Sequence, residues 1–217
     1  MDQADLDCLL PDMSERHVAR GNILIGQGSP VETVAFLASA LVVNTVTFKD
    51  GRTAETFDMG TEGVTGLAAF LADAPCAWGV EVRSAGTVYE ISAAALRRRS
   101  EASPALRRRL AVLSNDYQAQ ASLAVACTAY HPATARLASL LLFRAERSHE
   151  SRLRYTQEDL ATRLGLQRTT VTASAVSLKA AGAIAYSRGH VTILDHAVLV
   201  GLACECHEMQ GSPAFVG

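Results

Sequence analysis

A guanidinium, an amide and several hydroxyl groups lie within six residues of one another in the segment QRTTVT, residues 167–172. The guanidinium of Arg168 can donate two parallel hydrogen bonds, which is the geometry that a guanine edge accepts. Gln167, Thr169 and Thr172 can bond to bases or phosphates, although each could equally be solvated or cap a helix. The chemistry available here is recognition by hydrogen bonding, provided that local structure exposes these side chains together.

The surrounding residues predict two helices joined by a tight turn at Gly165, where glycine can take a positive φ. The apolar residues at helical spacing are Leu160, Ala161, Leu164, Leu166, Val171 and Leu178. Thr156, with Asp159 three residues later, predicts the cap that starts the first helix. The second helix would then face base edges in a DNA major groove. The side chains that it would present there are those of Gln167, Arg168, Thr169, Thr172 and Ala173. A plain helical hairpin is the alternative.

The residues after the second helix predict a β-hairpin. Lys179 and the small residues 180–182 end the helix, and two short alternating runs, AIAYS and VTIL, follow. Arg188, Gly189 and His190 join these runs and form a basic tip that can lie on a phosphate backbone. Helix, turn, helix and hairpin in this order predict a winged helix, with Lys179, Arg188 and His190 as further DNA contacts.

The composition allows two modest domains, and the charge is unevenly distributed. The chain has 217 residues, of which 49% are hydrophobic, and a formal net charge of −2. Residues 1–130 carry 11 Lys/Arg against 15 Asp/Glu, whereas residues 131–195 carry 9 against 5. The basic excess therefore coincides with the predicted helix-turn-helix.

The acidic start argues against a signal peptide, and no apolar run is long enough to span a membrane. Five cysteines form no even disulfide framework. We therefore expect a reduced, cytoplasmic protein.

Short β-branched segments punctuated by glycine occupy residues 23–91. The sequence KDGR at residues 49–52 predicts a tight hairpin turn between two of them. Strands at regular spacing predict a sandwich or a rolled-up antiparallel barrel. Its interior could hold a small ligand or be filled with side chains.

Between residues 96 and 130 the apolar period becomes helical, which predicts one long helix. Its spacing favours pairing with a second copy of the chain through a seam of Leu106, Leu110, Leu113, Tyr117, Gln120, Ala124 and Cys127. The alternative is a single helix that lies on its own β-module. His131 and Pro132 end the helix, and another amphipathic helix, residues 133–146, follows.

These elements predict an α+β chain with three segments. An antiparallel, jelly-roll-like β-roll sensor domain would occupy residues 1–95, a dimerisation helix residues 96–130, and a winged-helix DNA-binding domain residues 131–217.

This combination resembles the cyclic-AMP receptor/fumarate-nitrate regulator (CRP/FNR) family of bacterial transcription factors. The similarity covers nearly the whole chain and is most specific in YTQEDLATRLGLQRTTVT, in GAIAYSRGHVTILD, and in residues 21–28 followed by VAFLASALV. Ala40 stands where the family commonly has glycine, and Ser174 where it often has a larger aliphatic residue.

The resemblance implies a homodimer whose two recognition helices enter successive major grooves of a near-palindromic site in double-stranded DNA. It also implies RNA polymerase as a further partner. Arg168 occupies the place of the family's guanine-binding arginine. The well-known members carry an acidic residue beside that arginine and a second arginine one turn later. Here these positions hold Thr169 and Ala173, so the operator should differ.

The resemblance places an effector pocket in the β-roll. If residues 63–66 align with the family's phosphate-binding turn, Val64 takes the position of the ribose-binding glutamate, and residues 75–77 lie near that of the phosphate-binding arginine. A buried phosphate without a cation is very costly, which argues against ordinary cyclic-nucleotide binding unless the register slips so that Glu62 and Arg83 substitute. The expected pocket residues are Glu62, Gly63, Val64, Gly66, Cys76 and Ala77, and the small-molecule effector is unknown.

Other sensors of the family need ligands that this sequence supplies only in part. An iron–sulfur cluster needs several cysteines near the N-terminus, where only Cys8 lies, and haem would need an axial ligand such as His17. Cys76 as a thiol sensor lacks a visible activating neighbour. The run CECH at residues 204–207 suggests a metal, but cysteines two apart face different sides of a helix and no second ligand pair lies nearby in sequence. A structural role is preferred for it, and no metal or cofactor is predicted.

The predicted function is sequence-specific, DNA-binding transcription regulation without enzymatic activity. A cupin-like enzyme would need a metal triad or an acid–base pair in the roll, and the first 130 residues contain one histidine. The alternative is a ligand-binding regulatory or adaptor protein whose winged helix binds protein. Arg168, Lys179 and Arg188 on the expected DNA side favour the regulator.

Overall fold

The alternating apolar segments of the N-terminal part form seven antiparallel strands in the computed structural model, which describes residues 7–61, 63–148 and 150–211, without the side chains of residues 147, 210 and 211. One sheet has the order β1-β7-β3, made of β1 (Met13–Val18), β7 (Gly86–Ser92) and β3 (Thr33–Leu37). The other has the order β2-β6-β4-β5, made of β2 (Ile23–Ile25), β6 (Gly79–Ser84), β4 (Leu41–Thr47) and β5 (Thr53–Met59). A short 3-10 helix, Leu10–Asp12, precedes β1.

Strand alternation places one face of each sheet in a shared core. Val18 and Val88 of the first sheet are fully buried in the same apolar cluster as Val42 and Val80 of the second. The predicted turn joins β4 to β5, and Gly51 there has a φ of 84°, which favours glycine.

Three helices accompany the strands: α1 (Leu67–Ala72), α2 (Ala93–Ala102) and α3 (Pro104–Tyr130). The prediction of one helix from residue 96 to 130 was wrong, because the helix breaks at Ser103. Ser103 has an extended backbone, with φ −125° and ψ 98°, since a residue that precedes proline is disfavoured in the helical region. Pro104 then fits the first turn of α3.

The chain divides into two units, Met1–Tyr117 and Gln118–Gly217, and α3 runs from the first into the second. Besides the end of α3, the second unit contains α4 (Ala133–Ser148), β8 (Arg152–Arg154), α5 (Gln157–Leu164), α6 (Arg168–Ala180), β9 (Ile184–Ser187), β10 (His190–Ile193), α7 (His196–Leu202) and α8 (Cys206–Gly211). The strands form a sheet of order β8-β10-β9. One apolar core joins α4, α5, α6 and this sheet, with Leu141, Leu160, Leu178 and Val191 fully buried in it.

The predicted fold class is confirmed: an antiparallel β-sheet core comes first, followed by a long helix and a C-terminal winged helix-turn-helix. Among the helices of the described residues, none combines the length and apolar character that crossing a membrane requires.

Candidate nucleic-acid interface

Helix α5, which precedes the turn to α6, is fixed at both ends by local hydrogen bonds. The Thr156 hydroxyl accepts a hydrogen bond from the Asp159 N–H at 3.0 Å, and the Asp159 carboxylate accepts one from the Thr156 N–H at 2.9 Å, which forms a capping box. Gly165 ends α5 in the left-handed region with a φ of 62°, and the Leu166 N–H donates to the Ala161 carbonyl at 3.0 Å. The position at which α6 begins is therefore closely determined by the sequence.

The outer face of α6 carries the side chains predicted to meet bases. Gln167, Arg168, Thr169 and Ala173 are exposed, and Thr172 is half-buried. On the inner face Val171 and Leu178 are fully buried and hold the helix on the core. The structure therefore brings the five predicted residues to one surface, at the first two turns of the helix.

Gln157, which the sequence did not single out, lies beside these residues. Its side-chain oxygen accepts hydrogen bonds from Arg168 Nε at 3.4 Å and from the Thr172 hydroxyl at 3.0 Å. The Thr172 hydroxyl also lies 2.9 Å from the Arg168 carbonyl oxygen. An amide at the start of α5 thus contacts Nε of the Arg168 guanidinium, and its two terminal nitrogens take no part in this bond.

Ser174, the family departure noted in the sequence, faces inward. It is 4% exposed, and its hydroxyl accepts a hydrogen bond from the Thr134 hydroxyl at 3.2 Å. A polar contact between α4 and α6 therefore stands where a larger aliphatic side chain would pack.

The wing is a two-residue hairpin between β9 and β10. Arg188 and Gly189 both have positive φ, 44° and 78°, and Ser187 pairs with His190 across the turn. Two consecutive positive φ values are the pattern of a type I′ turn, whose twist matches that of the strands. Arg188 is exposed, and His190 Nδ1 lies 3.3 Å from the Arg188 carbonyl oxygen.

Basic side chains border the wing on a second strand. Arg154 of β8 is exposed and pairs in register with His190, and Arg152 of the same strand is also exposed. Sequence reasoning missed both, although the alternation in RLRY around a buried Leu153 could have indicated a strand with arginines on its outer face. Lys179, at the other end of α6, is exposed as well.

The predicted effector turn is packed into the roll. Val64 is 4% exposed, its N–H donates to the Tyr117 hydroxyl at 2.7 Å, and it forms an isolated bridge with Phe36. Gly66 has a φ of 64°, and a Cβ there would lie 2.6 Å from Ile25 Cδ1. Gly63 is similarly enclosed. Glu62 lies outside the described residues.

The other half of the predicted pocket divides between core and surface. Cys76 is fully buried, and burial raises the pKa of its thiol, so it remains protonated and poorly reactive. Ala77 is exposed. Arg83, the substitute cation, donates to Glu55 at 2.7 Å and to Glu81 at 2.5 Å, so its charge is already neutralised by two carboxylates. Residues 60–78 contain no Lys or Arg.

The predicted seam of α3 does not form one exposed stripe. Leu106 and Leu110 are 0% and 1% exposed within a single chain, because they pack in the core of the N-terminal unit. Their assignment to a dimer interface was therefore wrong. Leu113 and Tyr117 are partly buried against the same core, and Gln120, Ala124 and Cys127 are half-buried.

A different face of α3 is open at heptad spacing. Val112 is 42% exposed, and the face continues through the small and polar residues Asn115, Ala119, Ser122, Ala126 and Ala129. Of these, Ala119 is half-buried and the others are exposed.

Three cysteines and a histidine of the second unit meet at the end of α3. The possible ligand atoms of Cys127, His131, Cys204 and Cys206 all lie within 4.8 Å of one another. Burial raises the pKa of Cys127, and the neighbouring Cys204 thiol raises it further. The histidine of the CECH run, His207, instead lies 3.1 Å from the Glu146 carboxylate. The sequence could have indicated this group through the helical i, i+4 spacing of Cys127 and His131.

Comparison with known families identifies both units. The sequence model of the cyclic nucleotide-binding domain matches residues 15–102, and that of the Crp-like helix-turn-helix domain matches residues 135–202. None of the curated proteins matches the chain.

Several solved structures share the fold. The chain is similar to FixK2 from Bradyrhizobium japonicum, with 17% identity over 88% of this chain and 98% of that chain and a TM-score of 0.76. It is similar to the c-di-GMP-responsive global regulator CLP of Xanthomonas campestris, with 16% identity over 89% and 100% of the two chains and a TM-score of 0.76. A CRP-family transcriptional regulator of Thermus thermophilus has 20% identity over 91% and 97% and a TM-score of 0.69.

Proposed function

Because the chain belongs to the CRP/FNR family of transcription regulators, we propose that it acts in the cytoplasm as a homodimer that binds a near-palindromic operator in double-stranded DNA. The observation that carries this proposal is the exposed first half of α6, where Arg168 is oriented by Gln157. RNA polymerase is a further partner in this proposal.

Within this function, Arg168 reads a guanine through two parallel hydrogen bonds from its terminal nitrogens. One such contact contributes roughly 1 to 3 kcal/mol of discrimination between bases. Thr169 and Ala173 beside it provide a hydroxyl and a methyl group, which suit a phosphate or a thymine methyl better than a second guanine. The operator therefore has fewer base-specific charged contacts than an operator read by two arginines.

The wing and its neighbours contact the DNA backbone. Arg188, His190 and Lys179 lie on exposed or half-exposed positions around α6, and Arg152 and Arg154 extend the same positive charge along β8. Such contacts strengthen binding to all sequences and make it depend on salt.

The dimer forms along the open face of α3 that begins at Val112 and ends at Ala129. α3 has 27 residues and is therefore about 40 Å long. Small side chains on this face allow two helices to approach closely, and Val112 supplies apolar area at one end. The segments 1–95, 96–130 and 131–217 then act as sensor domain, as the dimerisation segment that contains α3, and as DNA-binding domain.

The effector of the β-roll is not an ordinary cyclic nucleotide. Val64 stands at the glutamate position, residues 60–78 offer no lysine or arginine, and Arg83 is held by Glu55 and Glu81. A cyclic phosphate would be buried here without a cation, which is very costly. Calorimetry with cyclic AMP and cyclic GMP should therefore detect no binding at micromolar concentrations.

Selection of bound fragments from random DNA tests the function directly. The wild-type chain should enrich a near-palindromic sequence, and Arg168→Ala should lose preference for guanine at one position of each half-site while keeping its affinity for unrelated DNA. Gln157→Ala should weaken the same preference without moving it to another base. If Arg168→Ala enriched the same sequence as wild type, the recognition model would be wrong. If no DNA were enriched and binding did not fall with salt, the winged helix would serve protein recognition instead.

A further inference from the structure

The cluster at the end of α3 points to a function that neither the helix-turn-helix nor the β-roll supplies. We propose that Cys127, His131, Cys204 and Cys206 form a binding site for one Zn²⁺ ion, which joins the end of α3 to the segment between α7 and α8. This proposal goes beyond DNA binding, because the ion can be measured on the protein without any operator.

Two distances between donor atoms are close to those of a tetrahedral site, and all four donor atoms lie within 4.8 Å of one another. With Zn–S bonds of about 2.3 Å and Zn–N bonds of about 2.0 Å, tetrahedral angles place two sulfur ligands about 3.8 Å apart and a sulfur and a nitrogen about 3.5 Å apart. Cys127 Sγ and Cys204 Sγ are 3.6 Å apart, and Cys206 Sγ and His131 Nδ1 are 3.4 Å apart. An ion can enter with only small side-chain movements.

The donor set selects zinc among common cations. Three thiolates and one imidazole are soft to borderline ligands, whereas Mg²⁺ and Ca²⁺ prefer carboxylate and carbonyl oxygens. Cys204 and Cys206 are 7% and 3% exposed, and Cys127 and His131 are half-buried, so water reaches the site only from the side of these last two ligands. Four protein ligands in a closed site are typical of structural zinc, which leaves no open position for a substrate.

Neighbouring groups already hold the ligands in orientation. His131 directs Nδ1 toward Cys206, and its Nε2 lies 4.0 Å from the Glu205 carboxylate. The Ser139 hydroxyl lies 3.0 Å from Cys204 Sγ and accepts a hydrogen bond from the Cys204 N–H at 3.1 Å. A carboxylate on the distal nitrogen of a ligating histidine and a hydroxyl at a thiolate are the outer partners that tune metal sites.

The ion would stabilise the scaffold that carries α6. Cys127 and Cys204 are 77 positions apart in sequence, so the ion closes a long loop that includes α4, α5, α6 and the wing. α4 starts two residues after His131 and packs against α6. Removal of zinc should therefore loosen the second unit from its C-terminal end.

Metal analysis of the full-length chain, purified under reducing conditions, tests the site. We expect one zinc per chain, an X-ray absorption spectrum with three sulfurs and one nitrogen around the metal, and, after cobalt exchange, the charge-transfer and d–d bands of a tetrahedral thiolate site. Cys127→Ser and Cys204→Ser should each lose these bands. Cys8→Ser, which removes a thiol outside the cluster, should keep them.

Wild-type protein alone can overturn the proposal if the serine variants fail to fold. Titration of reduced, metal-free wild type with Co²⁺ that yields no thiolate charge-transfer band would refute the site. A disulfide between Cys127 and Cys204 as the dominant form, in the presence of zinc and reductant, would also refute it, since both sulfurs would be consumed. Zinc binding with failed operator selection would leave the site in place and overturn only the DNA-binding function.

Discussion

Replacing Tyr117 with phenylalanine removes one hydroxyl group from the core of the N-terminal unit. The Tyr117 hydroxyl accepts a hydrogen bond from the Val64 N–H at 2.7 Å, and its ring packs on Phe57 with the centroids 5.3 Å apart. Phenylalanine keeps the ring contact, but the N–H of Val64, which is 4% exposed, loses its hydrogen-bond acceptor. A buried donor left without its partner costs roughly 1 to 3 kcal/mol, so Tyr117→Phe should lower the free energy of unfolding by that amount at neutral pH.

The difference in the free energy of unfolding between wild type and Tyr117→Phe should depend on pH. Burial raises the pKa of Tyr117 from its usual 10.0 to about 12. Between pH 10 and 12 the unfolded chain has released this proton while the folded chain still holds it, so the stability present below pH 10 is lost as the pH rises toward 12. A shift of two units corresponds to about 3 kcal/mol. Tyr117→Phe lacks this loss, so its deficit relative to wild type should shrink and vanish near pH 12.

Urea unfolding followed by fluorescence and circular dichroism, at several pH values from 7 to the alkaline limit of reversibility, measures this difference. Tyr130→Phe is the matched control, because Tyr130 is 84% exposed and its removal deletes a phenol without deleting a buried contact. Parallel stability curves for wild type and Tyr117→Phe across the alkaline range would refute the placement of the Tyr117 hydroxyl in the core.

Three further variants test the dimer face and the wing. Val112→Asp combined with Ala126→Asp, on the open face of α3, should give folded monomers by light scattering, whereas Leu110→Asp should unfold the N-terminal unit; an intact dimer in the first case would refute the face. Arg188→Asn should relieve about 1 kcal/mol of left-handed backbone strain and weaken binding to all DNA sequences. It should reduce the salt slope by about 2 for the dimer, which loses one phosphate contact per chain; an unchanged slope would exclude Arg188 from the phosphate backbone.

The helix-turn-helix and its wing could be predicted from the sequence because their signals are local. The capping box at Thr156, the turn at Gly165 and the hairpin at Arg188 each depend on a few neighbouring residues, and the structure has all three. Where a short-range rule was overlooked, the prediction failed: Ser103 precedes a proline, and the helix breaks there. Such rules reach only half of the cysteine–histidine cluster: Cys127 and His131 are four residues apart, but Cys204 and Cys206 lie in a segment that only the fold brings beside them.

Periodicity alone could not assign the faces of α3, because the helix contributes to a different core in each unit. In the first unit Leu106 and Leu110 are buried beneath the strands, and in the second Leu123 is 7% exposed beside Cys204. Heptad spacing identifies a row of residues that share a side, but it does not say whether that row meets the chain itself or a partner. The large apolar side chains of the first unit pack against the chain itself, in one cluster with Val34, Phe36 and Ile91 of the first sheet. The exposed face of α3 that we propose for the dimer is therefore lined by small residues, which the spacing of leucines does not reveal.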